Sequence, residues 1–145
     1  MSLILDSEQL FKVRLFDALE FCGGNYDYIF TPHYCHYDLI IREPKNWVQI
    51  YVEHKERDIK YMENITKNGL MINVCKLHFY KKYLSGSFVI IATTINDQIF
   101  WVKYDVSFNN LRVEERNQDV VYLPFELFSN DVELLAEQII IYFNQ

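Results

Sequence analysis

Three side chains in the first half of the chain are of the types that, brought together, could hydrolyse a phosphate ester: Asp38, Glu53 and Lys55. Glu53 and Lys55 stand two residues apart. On a β-strand such residues point to the same side, so Glu53-His54-Lys55 sets a carboxylate beside an ammonium. Carboxylates are hard oxygen ligands, and Mg²⁺ takes one or two of them while leaving its other positions to water and substrate phosphate. A metal held in this way polarises a phosphoryl oxygen and lowers the pKa of an attacking water. A neighbouring lysine can orient that water or offset charge gathering on the phosphate. The triplet by itself is common, and Glu43-Pro44-Lys45 matches it too, in a turn where no such site would form. What sets the second triplet apart is its strand, the preceding Asp38 and an apolar opposite face. The plain alternative is a solvated sheet end that carries a Glu–Lys pair.

The elements around these residues can be read from periodicity and turn chemistry. Asp6 or Ser7 can cap a helix over residues 8–21, with Leu15, Phe16 and Leu19 at helical spacing and Gly23-Gly24 as its stop. Residues 26–32 read as a strand or extended arm, 37–42 as a strand, 43–46 as a turn and 47–55 as the partner strand. In that partner Gln49, Tyr51, Glu53 and Lys55 share one face, while Val48, Ile50 and Val52 share the other. Residues 56–68 are a charged helix or connection ending at Gly69, 70–74 a short strand and 76–84 a helix. The apolar run 87–94 reads as a central strand buried on both faces, with 99–104 as its hairpin partner across Asn96-Asp97. Residues 131–143 form an amphipathic helix expected to be capped by Ser129 or Asn130. The reading is an α/β fold with a mixed central sheet flanked by helices, in one domain over residues 1–145.

Asp38 at one strand, a turn, then Glu53-His54-Lys55 on the next strand resembles the PD-(D/E)XK nuclease superfamily. The preceding helix, the strand pair, the following helix and the hydrophobic strand keep that order over roughly residues 7–104. The resemblance does not extend past Tyr104. It implies a restriction-endonuclease-like fold and a metal-dependent nuclease. Asp38 and Glu53 would ligate Mg²⁺, with Mn²⁺ as an alternative, the His54 carbonyl would be a further ligand, and Lys55 would assist the water. An acidic residue on the first helix completes such sites, which makes Glu8 the candidate third ligand and Glu20 its alternative. Gln49 and Tyr51 are candidates to contact a phosphate or water. The partner implied is nucleic acid, DNA ahead of RNA, and such nucleases commonly act as homodimers. Replacing Asp38 or Lys55 by alanine is expected to abolish cleavage and leave the fold intact.

Composition bounds these readings. Of 145 residues, 14 are Lys or Arg and 20 are Asp or Glu, a formal net charge of −6. That counts against a protein that merely coats nucleic acid, which needs a basic footprint. It leaves room for an enzyme whose metal-binding carboxylates add negative charge. The densest basic stretch runs from Lys55 to Lys60 and on through Lys67, Lys76, Lys81 and Lys82. It suits phosphate contacts or a solvated helix face. No apolar run reaches the roughly 20 residues of a membrane span. With no signal-like start and three scattered cysteines, the expectation is a cytoplasmic protein with free or buried thiols. His33-Tyr34-Cys35-His36 lacks the second ligand pair of a zinc site. His54 is expected to be a satisfied, half-buried histidine. Tyr80, Tyr83, Phe100 and Trp101 are expected to be core. The rival function, from another class, is a non-catalytic protein-interaction module on an α/β fold.

Overall fold

The structure, a computed structural model, describes residues 6–32, 36–45, 47–57, 60 and 62–145. Helix α1 (Ser7–Phe21) starts where the Asp6 carboxylate accepts from the Gln9 N–H at 2.7 Å. Three strands follow, β1 (Asp27–Phe30), β2 (Leu39–Glu43) and β3 (Val48–Arg57), paired antiparallel in sequence order. Strand β3 runs two residues beyond Lys55, farther than its alternation suggests.

Next come α2 (Met62–Asn68), β4 (Leu70–Asn73), α3 (Val74–Tyr83), β5 (Phe88–Ile95) and β6 (Gln98–Lys103). Strand β5 lies parallel to β3 and antiparallel to β6, which gives a mixed sheet in the order β1-β2-β3-β5-β6. Every residue of β5 is buried, as its unbroken apolar run requires of a strand covered on both faces. The β5–β6 turn places Asn96 and Asp97 at positive φ, 50° and 64°, matching the primed turn that a right-twisted hairpin needs. The expected α/β class, a mixed central sheet flanked by helices, is what the chain forms.

Two apolar clusters fill the two faces of the sheet. On one face Phe11, Leu15 and Leu19 of α1 meet Ile50 and Val52 of β3. Leu135, Ile139 and Phe143 of α4 (Val132–Phe143) join the same cluster. Helix α4 is capped by Asp131, whose carboxylate accepts from the Leu134 N–H at 3.0 Å, not by Ser129 or Asn130. On the other face Leu77 and Tyr80 of α3 pack with Val89 and Ile91.

Residues past Tyr104, unplaced by the resemblance, are built into both layers. Strand β7 (Val120–Leu123) pairs antiparallel with β4 in a second, two-stranded sheet, and α4 lies against α1. Gly69 permits the small sheet. Its φ is +94°, and a Cβ there would stand 2.2 Å from the Leu123 carbonyl oxygen, so no side chain fits. No described helix is long and apolar enough to cross a membrane.

Candidate active site

The β2–β3 ladder ends where Leu39 pairs with Val52, and one more step of that register sets Asp38 opposite Glu53. Beyond that point the backbone of β2 no longer serves β3. The Asp38 carboxylate takes its place, with Oδ2 accepting from the His54 N–H at 2.7 Å, while the Asp38 N–H donates to the Val52 carbonyl at 2.7 Å. Asp38 therefore closes a strand ladder as well as presenting a carboxylate. A part-buried N–H left without an acceptor is costly, so Asp38→Ala is expected to disturb the strand end as well as remove a carboxylate. Asparagine, which keeps an acceptor, is the cleaner substitution.

Glu53 is only 2% exposed, on the sheet face that α3 covers. Lys76, in the first turn of α3, reaches across and pairs with Glu53 Oε1. Glu53 Oε2 is buried and has no hydrogen-bond partner among the described residues. Burial, and then the Asp38 charge, push the Glu53 carboxyl up to about 7, against the lowering pull of Lys76 and Lys55. Burial lowers the pKa of the Lys55 ammonium, and the like charge of Lys76 lowers it further. Both Glu53 and Asp38 act back on Lys55. Asp38, Glu53 and Lys55 are thus within electrostatic reach of one another, with Lys76 as a fourth charge at the same place.

In the sequence Lys76 stands out only as part of a basic stretch. Its partner lies 23 residues away on another element, and no local pattern links them. Tyr80, one helical turn after Lys76, is fully buried and donates from its hydroxyl to the His36 carbonyl at 2.6 Å. Burial raises its pKa, and the Glu53 and Asp38 charges raise it further.

The other candidates fall as follows. Gln49 and Tyr51 share the Glu53 face, where the Tyr51 hydroxyl donates to Gln49 Oε1 at 3.1 Å. Glu8 lies in the first turn of α1, one turn ahead of Phe11. The Phe11 ring stands 5.3 Å from that of His54. Glu20, twelve residues farther along α1, is roughly 18 Å away along the helix axis and belongs to its other end.

His54 points away from Glu53 to the α1 face. It is 8% exposed, and its Nε2 shares a 2.8 Å hydrogen bond with Thr94 Oγ1. Burial lowers its pKa to about 4. The ring is the satisfied histidine expected of it, buried rather than half-buried. Phe100, Trp101 and Tyr80 are buried, but Tyr83 is 63% exposed and is not core. Its ring sits beneath Lys82 on the outer side of α3. His33 and Cys35 of the zinc alternative lie outside the described residues. Among those described, no group of three or more His, Cys, Asp or Glu could hold a metal. Cys22 and Cys75 are free thiols, and both are exposed.

Two carboxylates, rather than three, therefore define what the site can hold. They suit a hard divalent cation that keeps most of its waters, because Asp38 and Glu53 repel each other and Glu53 Oε2 is buried without a donor.

No protein-family model matches the chain, and no curated protein matches it. Among solved structures it is similar to Hjc, a Holliday junction resolvase from the archaeal hyperthermophile Archaeoglobus fulgidus. The two share 16% identity over 90% of this chain and 92% of the other, with a TM-score of 0.48. At that level no residue role passes from one to the other.

Proposed function

We propose that this chain is a metal-dependent nuclease of the PD-(D/E)XK type, folded as one domain over residues 1–145, that hydrolyses phosphodiester bonds in DNA, with RNA as the alternative substrate. The observation that carries the reading is the Asp38–Glu53 pair, two carboxylates crowded at a strand end with one buried oxygen left without a donor. Like charges so placed are costly unless offset, and the ammoniums of Lys76 and Lys55 still leave Glu53 Oε2 unpartnered.

In this reading Asp38 and Glu53 would hold Mg²⁺ or Mn²⁺, with the His54 carbonyl as a further ligand. The cation supplies polarisation of the phosphoryl oxygen and acidification of a water. Lys55, on the same side of β3 as Glu53, orients the water and offsets charge on the phosphate. Burial keeps its ammonium poorly solvated and so strengthens its field. Gln49 and Tyr51 continue the same face and contact the substrate backbone. Asp38 does two jobs at once. Its hydrogen bond to the His54 N–H fixes the carboxylate in place for the second.

The test is cleavage of plasmid and branched DNA by the purified protein with Mg²⁺ or Mn²⁺, alongside Asp38→Asn and Lys55→Ala. The wild type is expected to cut, and both variants to lose about 10²–10³-fold in rate, the usual effect of removing one preorganised electrostatic contact. A wild type that cuts neither DNA nor RNA with either metal would overturn the reading.

A second reading, a non-catalytic interaction module, is favoured by one feature. Among the described residues strand β1 is a sheet edge exposed along its whole length, with Tyr28, Ile29 and Phe30 each about two-fifths exposed. Unpaired strand edges with apolar side chains invite strand addition by another chain. The homodimer that the nuclease reading expects would use such an edge equally well. Metal-independent protein binding that survives Asp38→Asn favours the module.

A further inference from the structure

Glu53 offers two oxygens, and the structure treats them differently. Oε1 is held by the Lys76 ammonium, whereas Oε2 is buried without a partner. The Lys76 side chain is 20% exposed, against 3% for that of Glu53, so the lysine has a way out to solvent that the glutamate lacks. Lys76 sits on α3, a different element from the strand that carries Glu53 and Lys55. Its four-carbon stem can move the charge several ångströms without moving the helix.

With Glu53 ionised, Asp38 and Glu53 contribute two negative charges and Lys55 and Lys76 two positive ones, and the Arg57 charge also acts on Lys55. A divalent cation entering this set leaves two positive charges in excess, with Lys76 already repelling Lys55. The substrate brings the missing negative charge as phosphate.

We propose that the Lys76 ammonium and a divalent cation compete for the Glu53 carboxylate, and that a substrate phosphate draws Lys76 away, so that metal and substrate load the site together. The proposal rests on the metal-dependent nuclease reading above and deepens it. Lys76 here is a positioning residue, acting through Glu53. In the resting protein it keeps a buried carboxylate paired, which prevents the cost of an isolated buried charge. It also holds the metal site half closed until a phosphate backbone arrives. Such coupling is reciprocal, because a phosphate that strengthens metal binding is itself bound more tightly when metal is present.

The test is Mn²⁺ binding to the full chain, read from the paramagnetic resonance of free Mn²⁺. Titrations are run in the cold, with and without a short DNA duplex, at a pH above the Glu53 value of about 7. Glu53→Gln serves to subtract Mn²⁺ bound by the DNA itself. Wild-type protein is expected to bind Mn²⁺ about tenfold more tightly once duplex is added, within the usual range of coupling between sites. Lys76→Met is expected to bind Mn²⁺ about tenfold more tightly than wild type without DNA, and to gain less than about twofold from the duplex. If Lys76→Met fails to fold by circular dichroism, Lys76→Gln carries the same comparison, since it keeps a neutral donor towards Glu53. Should the Lys76 variants bind Mn²⁺ no more tightly than wild type while Glu53→Gln abolishes binding, the competition is overturned and the metal site stands. Should Mn²⁺ binding ignore Glu53 altogether, both the competition and the nuclease reading fall.

Discussion

Glu53 and His54 are neighbours on one strand, both buried, and the two faces of β3 treat them in opposite ways. His54 enters an apolar layer against Phe11, finds one hydrogen-bond partner in Thr94, and stays neutral because burial lowers its pKa to about 4. Glu53 enters a layer with three other charges, keeps one oxygen unpartnered, and has its carboxyl raised to about 7. The first is how a fold disposes of a polar group. The second retains an unsettled group, which structures tolerate chiefly where chemistry or binding makes use of it. Burial alone does not separate the two cases. The separation comes from whether the surrounding groups complete the hydrogen bonding or leave it open.

The sharpest way to break this comparison is to exchange function between the faces. Lys55→Ala should lower cleavage by about 10²–10³-fold, whereas Thr94→Val on the opposite face should leave the rate within about twofold of wild type, well inside the span of one lost contact. Supercoiled-plasmid nicking measures both. Equal losses would mean that the two faces share a structural role and nothing more.

Next in size is the pH dependence of metal-free stability. Glu53 has a raised folded-state pKa, so it contributes stability that is full below about 4.5 and is lost as pH rises through about 7. His54 has a lowered one, so its contribution is full above about 6.5 and is lost as pH falls through about 4. Between these limits the two slopes oppose each other, and wild-type stability should be nearly flat. Glu53→Gln should uncover the histidine slope, with stability rising by on the order of 3 kcal/mol from pH 4 to 6.5. His54→Asn should uncover the opposite slope. Urea denaturation in a chelating buffer reads all three, and a Glu53→Gln curve as flat as the wild type would refute the opposition.

Divalent metal should stabilise the wild type by about 2.7 kcal/mol at a hundred times its dissociation constant, and Glu53→Gln not at all. Thermal melts with and without Mn²⁺ decide this, and stabilisation that persists in the variant would place the metal elsewhere. The smallest effect expected is structural. Thr94→Val removes the hydroxyl that satisfies the buried His54 ring and should cost about 1–3 kcal/mol, measured as a lower midpoint in urea.

Much of this architecture is legible in residue order because backbone geometry sets it over short distances. The two-residue alternation of β3 divides Tyr51, Glu53 and Lys55 from Ile50, Val52 and His54 before any partner is known. The apolar run of β5 announces burial on both faces, and Asn96-Asp97 announces a hairpin. Other features turn on which elements come to lie side by side, and no short window holds that information. Lys76 meets Glu53 only because α3 lies over β3. The Asp38 carboxylate closes the ladder of a strand sixteen residues on. Strand β4 finds β7 some fifty residues later, which gives a place to the tail that local reading left unassigned. Residue type alone places Tyr83 inside, but it lies outside because α3 turns that side to solvent. Periodicity assigns a side chain to a face, but packing decides what the face meets, and the charge state of Glu53 is a property of that meeting.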